Sequence, residues 1–220
     1  MTPAASNNVF PRWFNHLRIA LGAGAVGGGL YVVTLFAYGA SPKTLNVGFA
    51  PEQPVPFSHA LHAGELGLDC RYCHTTVEVA ARAAVPPSET CMNCHARIKT
   101  QSEALAPLIA SASTGQPVHW KRVHDLPDYV YFDHSAHVTR GVGCVTCHGR
   151  VDTMDRVRQA QPLSMGWCLD CHRDPAPNLR PPEFATSMDW QPDKPAREFG
   201  AELMRAKNLR PSTDCSTCHR

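Results

Sequence analysis

All ten cysteines of this 220-residue chain fall into C-x-x-C-H strings: Cys70-Cys73-His74, Cys91-Cys94-His95, Cys144-Cys147-His148, Cys168-Cys171-His172 and Cys215-Cys218-His219. None is left over. His fills only 12 of 220 positions, so chance would place one after all five pairs with odds below about one in a million. The His is therefore part of the motif. A chain this rich in Cys is normally a disulfide scaffold, a metal protein or a cofactor protein. C-x-x-C pairs make poor structural staples, and zinc sites pair one knuckle with another without needing a His directly after each.

In C-x-x-C-H the two thiols add to the two vinyl groups of haem, and the adjacent His reaches the iron as proximal ligand. The sequence thus predicts five covalent haem c groups, with His74, His95, His148, His172 and His219 as proximal ligands. Second ligands must come from His16, His59, His62, His119, His124, His134, His137 or a methionine. His16 precedes a long apolar run and lies on its wrong side. His59 and His62 are three residues apart, so on a helix they project from one face and can serve two neighbouring haems; His134 and His137 repeat the spacing. His124 is the first choice for the remaining distal position. His119, Met154 and Met165 compete with it, and a Met ligand would raise that haem's potential relative to its bis-His neighbours.

Ile19 to Tyr38 is a run without formal charge, IALGAGAVGGGLYVVTLFAY, about 30 Å long as a helix and so matched to a bilayer's hydrocarbon core. Arg12 and Arg18 precede it, Lys43 follows, and no acidic residue occurs before Glu52. The positive-inside tendency then puts the N-terminus in the cytoplasm and the rest of the chain on the periplasmic side of the inner membrane. A cleaved leader is the rival reading, but the run exceeds a usual signal-peptide core and Ala37-Tyr38-Gly39 is a mediocre cleavage site. Ala20, Gly24 and Gly28 give one face small enough for a second helix to approach; the alternative is that Gly is simply common in membrane spans.

The outer region contains a duplication. Phe57-Ser58-His59-Ala60-Leu61-His62 matches Phe132-Asp133-His134-Ser135-Ala136-His137 at an offset of 75, and the two strings that follow repeat at offsets of 74 and 77. The expected organisation is a cytoplasmic stub and anchor over 1–41 and a haem domain over 42–220. The domain holds repeats at 57–95 and 132–172 and a single motif at 215–219. Ala96 to Ala112 has roughly helical apolar spacing and is followed by turn-prone residues through Pro117. Six prolines between Asp174 and Pro195 forbid regular structure there. Ala196 to Leu209 is expected to be helical, with Phe199, Leu203 and Ala206 inward. About 180 residues shared by five haems leave about 36 each, too few for separate cores. The predicted fold class is mostly α with extensive loops wrapped on haems, plus one N-terminal transmembrane helix. Net charge of +2 gives no sign of a nucleic-acid partner.

The F-x-H-x-x-H element followed by C-x-x-C-H resembles the class III multihaem cytochromes c. That resemblance implies that His59 binds the haem on Cys70 and Cys73, and His134 the haem on Cys144 and Cys147. The second His of each element would bind a different haem. The anchor, the five strings and the stretches WKRVHDLPDYVYFDHSAH and PLSMGWCLDCHR are similar, over nearly the whole chain, to the pentahaem cytochrome c subunits of alternative complex III. This similarity implies an electron-transfer subunit, not itself catalytic, in a membrane menaquinol:acceptor oxidoreductase. Its partners would be an iron-sulfur subunit, a polytopic quinol-binding subunit and a soluble cytochrome c or equivalent acceptor. Two other functions stay open. A small membrane-anchored multihaem quinol dehydrogenase would need a quinol pocket at the membrane surface. A haem-based reductase would need one open iron, against which the six spare histidines argue.

Overall fold

The computed structural model describes residues 10–11, 13–39 and 46–219. The chain divides into two units, Met1–Thr44 and Leu45–Arg220. Arg12, Lys43 and the expected boundary after residue 41 lie outside the described residues.

In the first unit one helix, α1 (Phe14–Gly39), runs for 26 residues and buries none of them. It is long and apolar enough to cross a membrane, with a mean hydropathy of 1.8. It begins before the uncharged run because nothing in Phe14 to Arg18 breaks a helix. Pro11 lies just ahead and accepts from the Phe14 amide at 2.9 Å. The Thr34 hydroxyl donates to the Leu30 carbonyl at 2.8 Å, which satisfies it within the helix.

The second unit has no strand among its described residues, only two isolated bridges, Val130 to His219 and Val142 to Leu179. Its helices are short: α2 (Cys70–Cys73), α3 (Ser88–His95), α4 (Ala106–Thr114), α5 (His134–Val138), α6 (Cys144–His148), α7 (Met165–Arg173), α8 (Ala196–Ala206) and α9 (Cys215–Cys218). A π-helical turn, Ala60–Glu65, precedes α2. The prolines after Asp174 permit only 3-10 turns at Ala176–Asn178 and Pro182–Phe184.

Two expected helices differ in extent. The segment from Ala96 is turns until a 3-10 turn at Glu103–Leu105 leads into α4. Lys99 is left-handed there (φ 55°), and Pro107 sets the helix start, where its missing N–H costs nothing. Gly115, also left-handed at φ 71°, closes α4 by donating to Ser111. In α8, Phe199 and Leu203 are half-buried as expected, but Ala206 is exposed. The contact is instead centred on Gly200, which is buried against the carbonyl of Ala176.

The polypeptide's own core is thin. Among the described residues it comprises Val55, Val77, Leu108, Val138, Met154, Ala176, Leu179 and Ala185, and no large side chain is fully buried. Val77, Val138 and Ala185 cluster with Ala83 against them, joining the segments around the first and third strings. Polar fastening supplements this. Asp69 caps α2 by accepting from the Arg71 amide at 2.8 Å, accepts from the Arg71 guanidinium at 2.9 Å, and accepts from the Thr186 hydroxyl at 2.8 Å. The Arg71 hydrogen bond holds the Asp69 carboxyl down at about 2.

Gly200→Val is expected to part α8 from the 176–178 turn, because a Cβ there overlaps the Ala176 carbonyl. The cost should be about 1–3 kcal/mol, read as a thermal midpoint lowered by about 5 °C, whereas Gly166→Ala, which meets nothing, should leave it unchanged. Asp69→Ala should cost about 1 kcal/mol at neutral pH through the lost cap. The folded pKa lies below the ordinary 3.8. Its stabilisation is therefore full above that value and lost as the pH falls through about 2, so the two proteins should converge in stability in strong acid.

Candidate haem-binding sites

Each C-x-x-C-H string sits on or just past a short helix, so one turn presents two sulfurs on one face and the imidazole immediately after. Gly143 and Ser164 precede α6 and α7, and the Ser164 hydroxyl accepts from the Trp167 amide at 3.3 Å. All ten cysteines are free thiols, standing where thioether sulfurs of an attached haem would be. Burial pushes the Cys147 thiol up to about 12 and raises Cys73, Cys91, Cys168 and Cys171 as well. Among the described residues no three His, Cys, Asp or Glu side chains converge as a bare metal ion requires.

The histidine rings are oriented by the backbone. Nδ1 donates to a carbonyl in His62 (Ser58, 2.8 Å), His74 (Ala84, 2.7 Å), His95 (Ile98, 3.1 Å), His134 (Ala81, 2.9 Å), His137 (Asp133, 2.7 Å), His172 (Ser212, 2.6 Å) and His219 (Tyr129, 3.2 Å). A carbonyl oxygen can only accept, so the proton resides on Nδ1 and the lone pair on Nε2 is left free. This is the tautomer that an iron ligand requires, fixed by an outer hydrogen bond.

Three ring pairs then face one another at nearly constant separation: His62 and His95 at 6.2 Å, His134 and His148 at 6.4 Å, His137 and His172 at 6.0 Å between centroids. Two metal–imidazole bonds of about 2 Å, plus about 1.1 Å from each nitrogen to its ring centre, span about 6.2 Å. The residues present therefore fit a six-coordinate haem iron. His59, buried with its Nδ1 unpartnered, has His74 and His62 as its charged-state neighbours, and burial first, then those two, lowers its pKa to about 4. His148 is lowered to about 3, by burial first and then by His124, His134, His74 and His59. Both rings are neutral at pH 7, the ligating form.

The duplication is visible in the packing. Phe57 stacks on His62 at 4.3 Å and meets His59 edge-on at 4.8 Å; Phe132 lies against His137 at 4.5 Å and meets His134 edge-on at 4.8 Å. One aromatic ring thus braces both imidazoles in each unit. The other candidates are placed differently. His124 lies edge-on to His148 at 4.4 Å with a buried, unpartnered Nε2. That separation is shorter than an iron shared between the two rings would need. His119 is exposed in a loop. Met154 is 4% exposed and packs beside Gly149, whereas Met165 is 66% exposed at the start of α7. Tyr129 is the ring beside His219, at 5.9 Å.

The strings adjoin in an order that differs from their order along the chain. First and second meet through Asn93 and the Tyr72 hydroxyl at 3.0 Å. First and third meet where the thiols of Cys70 and Cys144 contact each other, with Cys70 Sγ 3.8 Å from the Thr186 carbonyl and the Cys144 amide 2.9 Å from that of Ala185. The His59 turn is also tied to the residues after the third string: the Ala60 amide donates to Met154 at 3.1 Å, and the Ser58 hydroxyl to Asp155 at 2.7 Å. Third and fourth share a cleft of about 340 Å³ lined by Thr146, Trp167, Asp170 and Cys171. Fourth and fifth meet through His172 and Ser212 and through the proximity of Cys168 to Cys218. The row runs second, first, third, fourth, fifth. No periodicity in the sequence announces this, because the link between first and third depends on the loop around Ala185 and Thr186.

Comparison with known proteins covers both halves of the second unit. Residues 38–110 match the class III cytochrome c family, and residues 130–220 match cytochrome c7 and related cytochromes c. Over 121 residues the chain is 33% identical to a protein of Nitratidesulfovibrio vulgaris named "Menaquinone reductase, multiheme cytochrome c subunit". The match takes in 54% of this chain and 56% of that relative, so it spans little more than half the relative's length. With the paired imidazoles and the duplicated F-x-H-x-x-H elements, these matches make the chain a mostly helical, class III-like multihaem cytochrome c.

Proposed function

We propose that this chain is a pentahaem electron-transfer subunit, held to the inner membrane by α1 with its second unit on the periplasmic side. It would serve a membrane menaquinol:acceptor oxidoreductase of the alternative complex III kind. The observation that carries the reading is the row of adjoining strings, three of whose imidazoles confront a second imidazole at 6.0–6.4 Å. Bound there, haem supplies one-electron redox chemistry. The chain's residues attach, ligate and orient it. Each Cys pair would form two thioethers. His74, His95, His148 and His172 would face His59, His62, His134 and His137 respectively. For His219 the candidates are His124, the first choice on sequence, and Met165, which opens the helix that carries Cys168.

The relative's name supports a link to the menaquinone couple, and the row of sites can pass electrons in either direction. The direction from menaquinol to a soluble cytochrome c rests on the resemblance of the anchor and the two quoted stretches. Quinone chemistry would belong to a polytopic partner and iron-sulfur clusters to a peripheral one. Gentle detergent purification should recover the chain with both kinds of subunit; a single chain that oxidises menaquinol unaided would overturn the assignment in favour of a stand-alone quinol dehydrogenase.

The reduced protein is expected to be low-spin and to bind little carbon monoxide. His137→Ala should free one coordination position at the fourth site, converting about one haem in five to a high-spin, carbon monoxide-binding form. Ready carbon monoxide binding by the unmodified protein would instead favour a reductase with an open iron. Met165→Ala should abolish the charge-transfer band of a Met-ligated ferric haem, and its persistence would exclude Met165.

A further inference from the structure

Arg180 is a buried cation without an anionic partner. The residue is only 8% exposed, and no ion pair among the described residues involves it. Its Nη1 donates to the Ser187 carbonyl at 2.6 Å, and its guanidinium carbon lies 5.4 Å from the Trp190 ring centre. Its Nε is buried with no hydrogen-bond partner. Several other arginines of the unit pair with carboxylates, as Arg71 does with Asp69 and Arg197 with Asp174.

Its position is specific. The Arg180 amide donates to the Gly141 carbonyl at 2.8 Å, next to the Val142 to Leu179 bridge. The guanidinium lies against Gly143, where a Cβ would overlap it. Gly143 is the residue that precedes Cys144 and begins α6. Glycine at 143 is thus what lets the charge approach the third string. Burial opposes the charge of the guanidinium. Guanidinium keeps its proton in proteins even so. A buried arginine that neutralises no carboxylate carries a desolvation cost that no ion pair offsets.

We propose that Arg180 is a fixed positive charge that raises the midpoint potential of the haem held by Cys144, Cys147 and His148. With haem attached there, one electron passed from a reduced haem of an adjoining string, which is thereby oxidised, would take the iron from ferric to ferrous; no bond breaks and no proton is transferred. The net charge of the site falls by one, and a neighbouring buried cation stabilises the product over the reactant. The third site lies in the middle of the row, so Arg180 would favour residence of an electron at the junction between its two sides. The inference rests on haem attachment at the third string.

The test is a dithionite and ferricyanide titration of the full-length holoprotein with redox mediators, followed optically and by electron paramagnetic resonance. In Arg180→Gln, one of the resolved one-electron components should move to lower potential, by about tenfold in its ferric-to-ferrous ratio, or 59 mV. Arg180→Lys should keep that component near its original position. Equal displacement in the Gln and Lys variants, or unchanged potentials in Arg180→Gln with its full haem complement, would overturn the proposal. If Arg180→Gln does not assemble, Gly143→Ala carries the test. Its methyl displaces the guanidinium without removing the charge, so the same component should move the same way, and an unchanged component counts against the proposal. A haem count showing that the unmodified third string carries no haem would refute the attachment itself and this inference with it.

Discussion

The arrangement of the second unit depends on a hydrogen bond made repeatedly: imidazole Nδ1 donating to a backbone carbonyl. Seven of the histidines make it. In each case the bond fixes the tautomer, fixes the plane of the ring and leaves Nε2 directed away from the peptide. The acceptors for His74 and His134 are the carbonyls of Ala84 and Ala81, so one stretch of loop orients the imidazole of the first string and the imidazole set against that of the third. Loops that look irregular are therefore the parts that set geometry.

This explains how so little protein core suffices. The buried apolar side chains are few and mostly small, and the helices carrying the strings are as short as four residues, below the length at which helices hold themselves together. Exposed apolar side chains such as Tyr72, Val79, Val85 and Ile98 lie close in sequence to the strings. With haem bound, such side chains would offer apolar surface to porphyrin faces, whose burial would supply hydrophobic stabilisation that the side chains alone do not. Asp69, Gly200 and Gly64 then act as local fasteners: a cap, and two close approaches that a side chain would block.

Much of this was legible in the residues. The strings, the duplicated F-x-H-x-x-H element and the prolines after Asp174 each limit structure locally, and the packing of Phe57 and Phe132 on their histidines is what that duplication implies. The spacing of His59 and His62 indicated a shared face, although a π-helical turn, not an ordinary α-helix, carries it. What could not be read was long-range. His124 stands eight residues before Phe132, and only the fold shows that its ring lies against His148. The close approach of Cys70 to Cys144, and with it the order of the row, comes from a loop more than a hundred residues downstream of Cys70. The Pro107 in the first turn of α4 and the left-handed Lys99 were local facts masked by apolar spacing that resembled a longer helix.

The central claim is that every string carries a haem and that these haems form one row. A pyridine haemochrome assay against polypeptide concentration on the purified full-length protein tests it most directly. Five covalent haems per chain, one for each of the five strings, is the result expected. A value clearly below five would contradict it, because a gap anywhere in the row would interrupt the path between its ends.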